Sequence, residues 1–217
     1  MLFSILKDII TGIKDQGNCG SCWAFGAVAS IEAAHARKHR ILMPLSEEQL
    51  VDCTEGTNCK DGGRPEYGWE LVQNQGGIES YETYPYNAYV GHKYHCRFDE
   101  SMIFAKVTNW TMVSDGSEKN LVRRLNDHPQ TVAVDAHSWS HYAGGIFHNT
   151  PHTPCGSDDK DLNHSVFVVG YGSDGPKDYY IVKNSWGDIW GENGYIRIAR
   201  GLDNTCGIAT VQGHAES

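Results

Sequence analysis

No run in this 217-residue chain approaches the roughly 18 consecutive apolar residues of a membrane-crossing helix, so no membrane span is expected. Basic charge is in deficit. Lys and Arg number 18 against 27 Asp and Glu, a net charge of −9, which argues against a nucleic-acid partner, since those are met by a basic face. Proline is sparse, at 7 residues, and no Pro- or Ser-rich linker, internal repeat or low-complexity tract divides the chain. No second Cys-x-x-Cys follows Cys19-x-x-Cys22, which weighs against a zinc ribbon. The pairs His137/His141 and His148/His152 fall where the pattern reads as loop and β structure, not the continuous helix that i,i+4 ligation uses. Surface histidines are therefore expected, with no metal and no cofactor. What is present, 40% hydrophobic residues and 6 Trp, suits a globular fold.

Cysteine is not scarce. Seven are present, and if Cys22 is a free thiol the other six can form three disulfides in 15 possible connectivities. That count suits an oxidising compartment, secreted or lysosomal. The opening Met1-Leu2-Phe3-Ser4-Ile5-Leu6 is apolar but short, lacks a basic n-region and is interrupted by Lys7 and Asp8, so it does not read as a signal peptide. Residues 1–12 are accordingly expected to be an incomplete N-terminal segment.

The first half reads as helical. An Ala-rich stretch from Cys22 to about His39 carries Arg37, Lys38 and Arg40 near its end, as the helix dipole favours. Ser46 is placed as an N-cap, with Gln49 at the capping-box position of a helix running to Cys53. A third helix spans about Pro65 to Asn74 and stops at Gly76-Gly77. Beyond residue 105 the period changes to two. Runs around Val132–Val134, Ser165–Val169, Tyr179–Val182 and Tyr195–Ile198 predict strands, with one intervening helix over Glu118 to Asn126. The reading is one domain over residues 1–217, helical over about 13–105 and β-rich over about 106–217.

The chemistry concentrates at Gln16-Gly17-Asn18-Cys19-Gly20-Ser21-Cys22-Trp23-Ala24-Phe25. Cys22 opens an apolar helix, whose N-terminus stabilises a thiolate. A thiol nucleophile needs a base, a group to orient the base and donors for an oxyanion. His164 opens a strand, and Asn184 stands in Lys183-Asn184-Ser185-Trp186-Gly187, where its amide can fix the imidazole tautomer. Gln16 and the Cys22 backbone N–H are candidate oxyanion donors.

Together with Gly76-Gly77-Ile78, Tyr84-Pro85-Tyr86, Gly144-Gly145-Ile146-Phe147 and Cys206-Gly207-Ile208, these runs make the chain resemble the papain family of cysteine proteases, mature cathepsin L-like domains in particular, from about Ile13 to Gly207. The resemblance implies an α+β papain-like fold, a helical left lobe and an antiparallel β-barrel right lobe with the cleft between them. It implies a cysteine endopeptidase in which Cys22 and His164 rest as a thiolate–imidazolium pair and Trp186 shields the His–Asn bond. The disulfides it implies are Cys19–Cys59, Cys53–Cys96 and Cys155–Cys206. Substrate-binding positions carried over are Gly62, Gly63, Arg64, Pro65, Ala133, Leu162, Asn163, Ser165, Trp186 and Val211. Most of those around the pocket for the second residue before the cut are apolar or small, so Leu, Val or Phe is expected there. Implied partners are polypeptide substrates and cystatin-type inhibitors, acting on a monomer. No occluding-loop-like insertion lies between Gly77 and Tyr94, which favours endopeptidase action. Two departures stand out: Lys60-Asp61 gives two residues where the family usually has one, and the usual strand before Ile9 is missing. Asn109-Trp110-Thr111 and Asn163-His164-Ser165 are glycosylation sequons, the second expected to stay unmodified beside His164. The rival readings are a silent papain-like binding protein and a transferase sharing the same acyl-enzyme.

Overall fold

The computed structural model describes residues 8–217. Most of the segment 1–12 named above therefore lies outside the described residues. Among the described residues four α-helices form: α1 Cys22–His39, α2 Glu47–Cys53, α3 Pro65–Gln75 and α4 Glu118–Leu125. Helix α1 is buried almost all round, because α3 covers one side and the sheet the other. Trp69 of α3 donates its indole N–H to the Ala27 carbonyl at 3.0 Å, locking the two together. Arg40, in the left-handed region at φ 62°, ends α1 by donating its N–H to Ala36 O. Ser46 caps α2 by accepting from Gln49 N at 2.9 Å. The reciprocal half of the expected box is absent, because the Gln49 side chain instead bridges Gly77 O and Glu79 N.

Two short strands, β1 Ile78–Glu79 and β2 Ile103–Ala105, pair in a small antiparallel sheet beside the helices. The main sheet holds β3 Asn109–Val113, β4 Gln130–Val134, β5 Ile146–Phe147, β6 His164–Asp174, β7 Lys177–Lys183, β8 Tyr195–Ala199 and β9 Val211–Glu216. Its spatial order is β3-β9-β4-β6-β7-β8-β5, antiparallel except for the parallel β5–β8 pair. This corrects the expected antiparallel barrel: among the described residues the sheet is open. Trp110 and Met112 of β3 pack onto the helical cluster, Trp110 with its ring 6.1 Å from Trp69, so that edge turns to α3 rather than to β5. At the other edge β5 has only two residues with which to pair.

The buried apolar residues form two principal clusters. One gathers α1–α3, including Trp23, Ile31, Leu50 and Trp69; the other gathers α4 and the sheet, including Leu121, Val132, Tyr180 and Ile196. Helix α1 lies against β6, β9 and β4, and the approach is close at Gly26. A Cβ there would meet Ser165 Oγ at 2.6 Å and Thr131 Cγ2 at 2.8 Å. Thr131 adds a hydroxyl bond to Gly26 O at 2.7 Å. The head of α1 is thereby brought beside the start of β6. Three disulfides, Cys19–Cys59, Cys53–Cys96 and Cys155–Cys206, leave Cys22 free.

Candidate active site

Cys22 is half-buried at the first position of α1. Ser21 precedes it but does not cap the helix, since its hydroxyl meets Tyr86 Oη at 2.7 Å. The backbone N–H groups of Cys22 and Trp23 stay free to face the sulfur, and Ser165 N–H joins them across the interface. Burial pushes the Cys22 thiol up; those three N–H donors act the other way by stabilising the thiolate.

His164 opens β6 and is buried. Its Nε2 lies 2.8 Å from Asn184 Oδ1. The Ser185 backbone N–H, which can only donate, reaches the same oxygen at 2.8 Å. The amide is therefore oriented with oxygen toward the ring, so Nε2 carries the proton and Nδ1 is left as the free ring nitrogen. Trp186 covers the imidazole with ring centroids 4.8 Å apart. Burial pushes His164 down to about 4, against the Asn184 bond, which raises it. Taken singly, burial thus favours a neutral thiol and a neutral imidazole. A thiolate–imidazolium pair has to draw on the mutual attraction of its charges and on the N–H donors around the sulfur.

Gln16 is buried and tied from several sides. Its backbone N–H donates to Ser185 O at 2.9 Å, and its Oε1 accepts the Ser185 hydroxyl at 2.7 Å. One hydrogen of Nε2 goes to Cys19 O at 2.9 Å, which leaves the second hydrogen free to donate.

A cavity of about 270 Å³ opens beside the thiol. Cys22, Gly63, Arg64, Pro65, Ala133, Leu162, Asn163, His164, Ser165 and Val211 all line it. The extra residue in Lys60-Asp61 is absorbed by an Asx turn: Asn58 Oδ1 accepts from Lys60 N and Asp61 N, and Gly62 N returns to Asn58 O. Gly62 consequently has its N–H engaged within the chain and does not line the cavity; nor does Trp186, which lies over His164. Sequence reasoning missed three carboxylates on the wall, Asp61, Glu66 and Asp159. Asp61 had a signal, since it belongs to the extra residue in its loop. Ser185, which orients both Gln16 and Asn184, stood in a motif already singled out but carried no sign of its own role.

The family model for papain family cysteine proteases matches residues 5–214. The chain belongs to the papain family. The cathepsin L-like proteinase of Fasciola hepatica is 43% identical over 208 residues, 93% of this chain and 60% of that protein. The chain thus spans about 60% of the length of the curated relatives it matches. Among solved papain-family structures, bromelain from Ananas comosus, determined with a bound inhibitor, superposes with a TM-score of 0.85 at 38% identity, covering 96% of this chain and 94% of bromelain. A digestive procathepsin L 3 from the larval midgut of Tenebrio molitor gives a TM-score of 0.89 at 37% identity over 97% of this chain and 68% of its own.

Proposed function

We propose that the chain is a cysteine endopeptidase working through a Cys22 acyl-enzyme in a cleft between its helical and β-rich lobes. The observation that carries this reading is the tautomer-fixing contact of His164 Nε2 with Asn184 Oδ1, beside a free thiol at a helix N-terminus. Cys22 passes its proton to His164 Nδ1 and attacks the scissile carbonyl. The oxyanion receives the second Gln16 Nε2 hydrogen and the Cys22 N–H. The imidazolium then protonates the leaving amine, and neutral His164 activates the water that releases the acyl group. Asn184 holds the ring through both steps.

The second residue before the cut enters the cavity walled by Pro65, Ala133, Leu162 and Val211. Leu, Val or Phe suits those walls, and burying one such side chain contributes about 1.5–3 kcal/mol. Polypeptides are the substrates in this reading, cystatin-type proteins the matching inhibitors, and a secreted or lysosomal monomer the working form. The three disulfides support the oxidising compartment.

Labelling with an epoxide or iodoacetamide at pH 5–6, read by peptide mass spectrometry, tests the proposal. Stoichiometric modification of Cys22 with loss of peptidase activity is expected. Folded protein that resists labelling would instead favour a silent binding protein. Capture of the acyl group by an added amine in preference to water would favour a transferase.

A further inference from the structure

Helix α1 places its nucleophile at one end and a different kind of chemistry at the other. Arg37 lies 15 residues after Cys22, about 22 Å along the helix axis. Arg37, Arg123, Arg124, His128 and His214, with Asp127, line a concavity of about 460 Å³. The first comes from the end of α1, the next two from the last turn of α4, His128 from the turn after it and His214 from β9. Five basic groups thus converge in a chain whose net charge is −9.

The arginines of this concavity, like Arg40 and Arg97, have no carboxylate partner within ion-pair distance among the described residues, whereas Arg64, Arg197 and Arg200 each have at least one. Arg124 Nε is buried with no hydrogen-bond partner. A buried donor left unbonded is costly, and a guanidinium stays charged at any working pH. The His128 and His214 rings stack at 4.5 Å with an interplanar angle of 13°. Burial pushes His214 down to about 4, with His128, Arg124 and Arg37 adding to the depression, and burial with Arg37 pushes His128 down as well. Acidic groups facing the cluster are few. Asp127 lines it, and Glu216 lies 3.9 Å from His214 Nε2. Asp115 senses Arg124 but is engaged by Ser117, Asn120 and Gln212. From α1, Lys38 turns to the Ser217 carbonyl.

We propose that this concavity binds a sulfate or phosphate group, with Arg37, Arg123 and Arg124 as its donors. Planar guanidinium forks match the oxygens of such groups through their terminal nitrogens. A bound anion reverses the field at the two imidazoles and raises their proton affinity. Binding therefore takes up protons and strengthens as the pH falls toward about 4, to which burial pushes His214. The group can arrive free, as inorganic phosphate, or on a sulfated sugar.

The test is a titration of the intact chain, following the ring protons of His128 and His214 by NMR at pH 5.5. Sodium phosphate and a sulfated disaccharide are added in separate arms, with sodium chloride at matched ionic strength as the reference. Either anion is expected to shift both rings beyond the chloride reference, and the tighter arm names the source. Arg124→Met and the exposed-site variant Arg123→Ala are each expected to weaken binding at least tenfold, while Lys160→Ala leaves it unchanged. Responses equal to chloride in both arms overturn the proposal. So does binding that Arg123→Ala, the variant whose folding is least at risk, leaves undiminished.

Discussion

Ser185 donates its hydroxyl to Gln16 Oε1 at 2.7 Å and accepts the Gln16 backbone N–H on its own carbonyl at 2.9 Å. The two residues are 169 positions apart, so the Gln16 amide, the proposed oxyanion donor, is aimed by the segment that also holds Asn184. Ser185→Ala keeps the backbone bond and loses the hydroxyl, letting the amide rotate. The expected outcome is kcat lowered about tenfold with KM little changed, against about a hundredfold for Gln16→Ala, which removes the donor itself. Steady-state kinetics on one peptide substrate checks both, and a change confined to KM would contradict this role for Gln16.

Asn184 raises the proton affinity of a histidine that burial pushes down to about 4. Removing it as Asn184→Ala deprives the imidazolium of a hydrogen bond worth about 1.5–3 kcal/mol, roughly 10–150-fold in rate. The sign for pH follows. A group that raised the pKa is gone, so the alkaline limb of kcat/KM, where the imidazolium loses its proton, moves to lower pH. A pH–rate profile of the variant with an unmoved alkaline limb would count against the assignment.

Much of this was legible in the residues. Helices α1 and α2 follow from Ala content, the Ser46 cap and the basic end of α1, and α3 from Pro65 at its start and Gly76 at its end. Strand β9 was not, because Val-Gln-Gly-His-Ala-Glu has a single β-branched residue. Its pairing with β3 on one side and β4 on the other is a tertiary fact. The open sheet was hidden for the same reason, since closure depends on where Trp110 packs. At the site, Cys22, His164 and Asn184 announce themselves by motif. The resting charge state does not, because burial of the Cys22–His164 pair exists only after folding.

Val211 lines the cavity beside Ala133, its partner in the β4–β9 register, on a lining that also carries Arg64, Asp61, Glu66 and Asp159. Val211→Glu puts a carboxylate on that wall. The expected result on a peptide library is a shift at the second position before the cut from Leu toward Arg. The loss for Leu substrates should be about tenfold or more, as an apolar contact of 1.5–3 kcal/mol is replaced by an unpaired charge. A wild-type profile already preferring Arg would remove the basis of the apolar assignment.

Gly26 is the point where α1 meets β4 and β6. Alanine normally favours a helix by about 0.5–1 kcal/mol over glycine. Here its Cβ would stand 2.8 Å from Thr131 Cγ2, and Thr131 is held by its own bond to Gly26 O. Overpacking of this kind costs about 1–3 kcal/mol, so Gly26→Ala is expected to destabilise the fold in urea denaturation. It should also lower activity, because the same Cβ presses on Ser165, whose N–H faces the Cys22 sulfur. A stabilised variant would mean the two lobes separate there at little cost.

Behind the site, Lys14 bonds both Glu32 and Glu47, and the Thr11 hydroxyl links Glu32 to Lys183. Burial pushes Glu47 up to about 7, aided by Glu32 and opposed by Lys14, and pushes Lys183 down to about 8. Attraction to the two carboxylates outweighs burial at Lys14 and raises its pKa, so that group keeps its charge. For Glu47 the folded pKa exceeds the ordinary value of 4.5. Its contribution to stability is therefore fully present below pH 4.5 and lost as the pH rises through about 7. Glu47→Gln keeps an acceptor for Lys14 and removes the titration. Urea denaturation at pH 4.5 and 7.5 should show wild type losing stability over that interval by more than the variant does. Equal losses would mean that Glu47 is ionised throughout, with Lys14 alone sufficient to hold its charge in the interior.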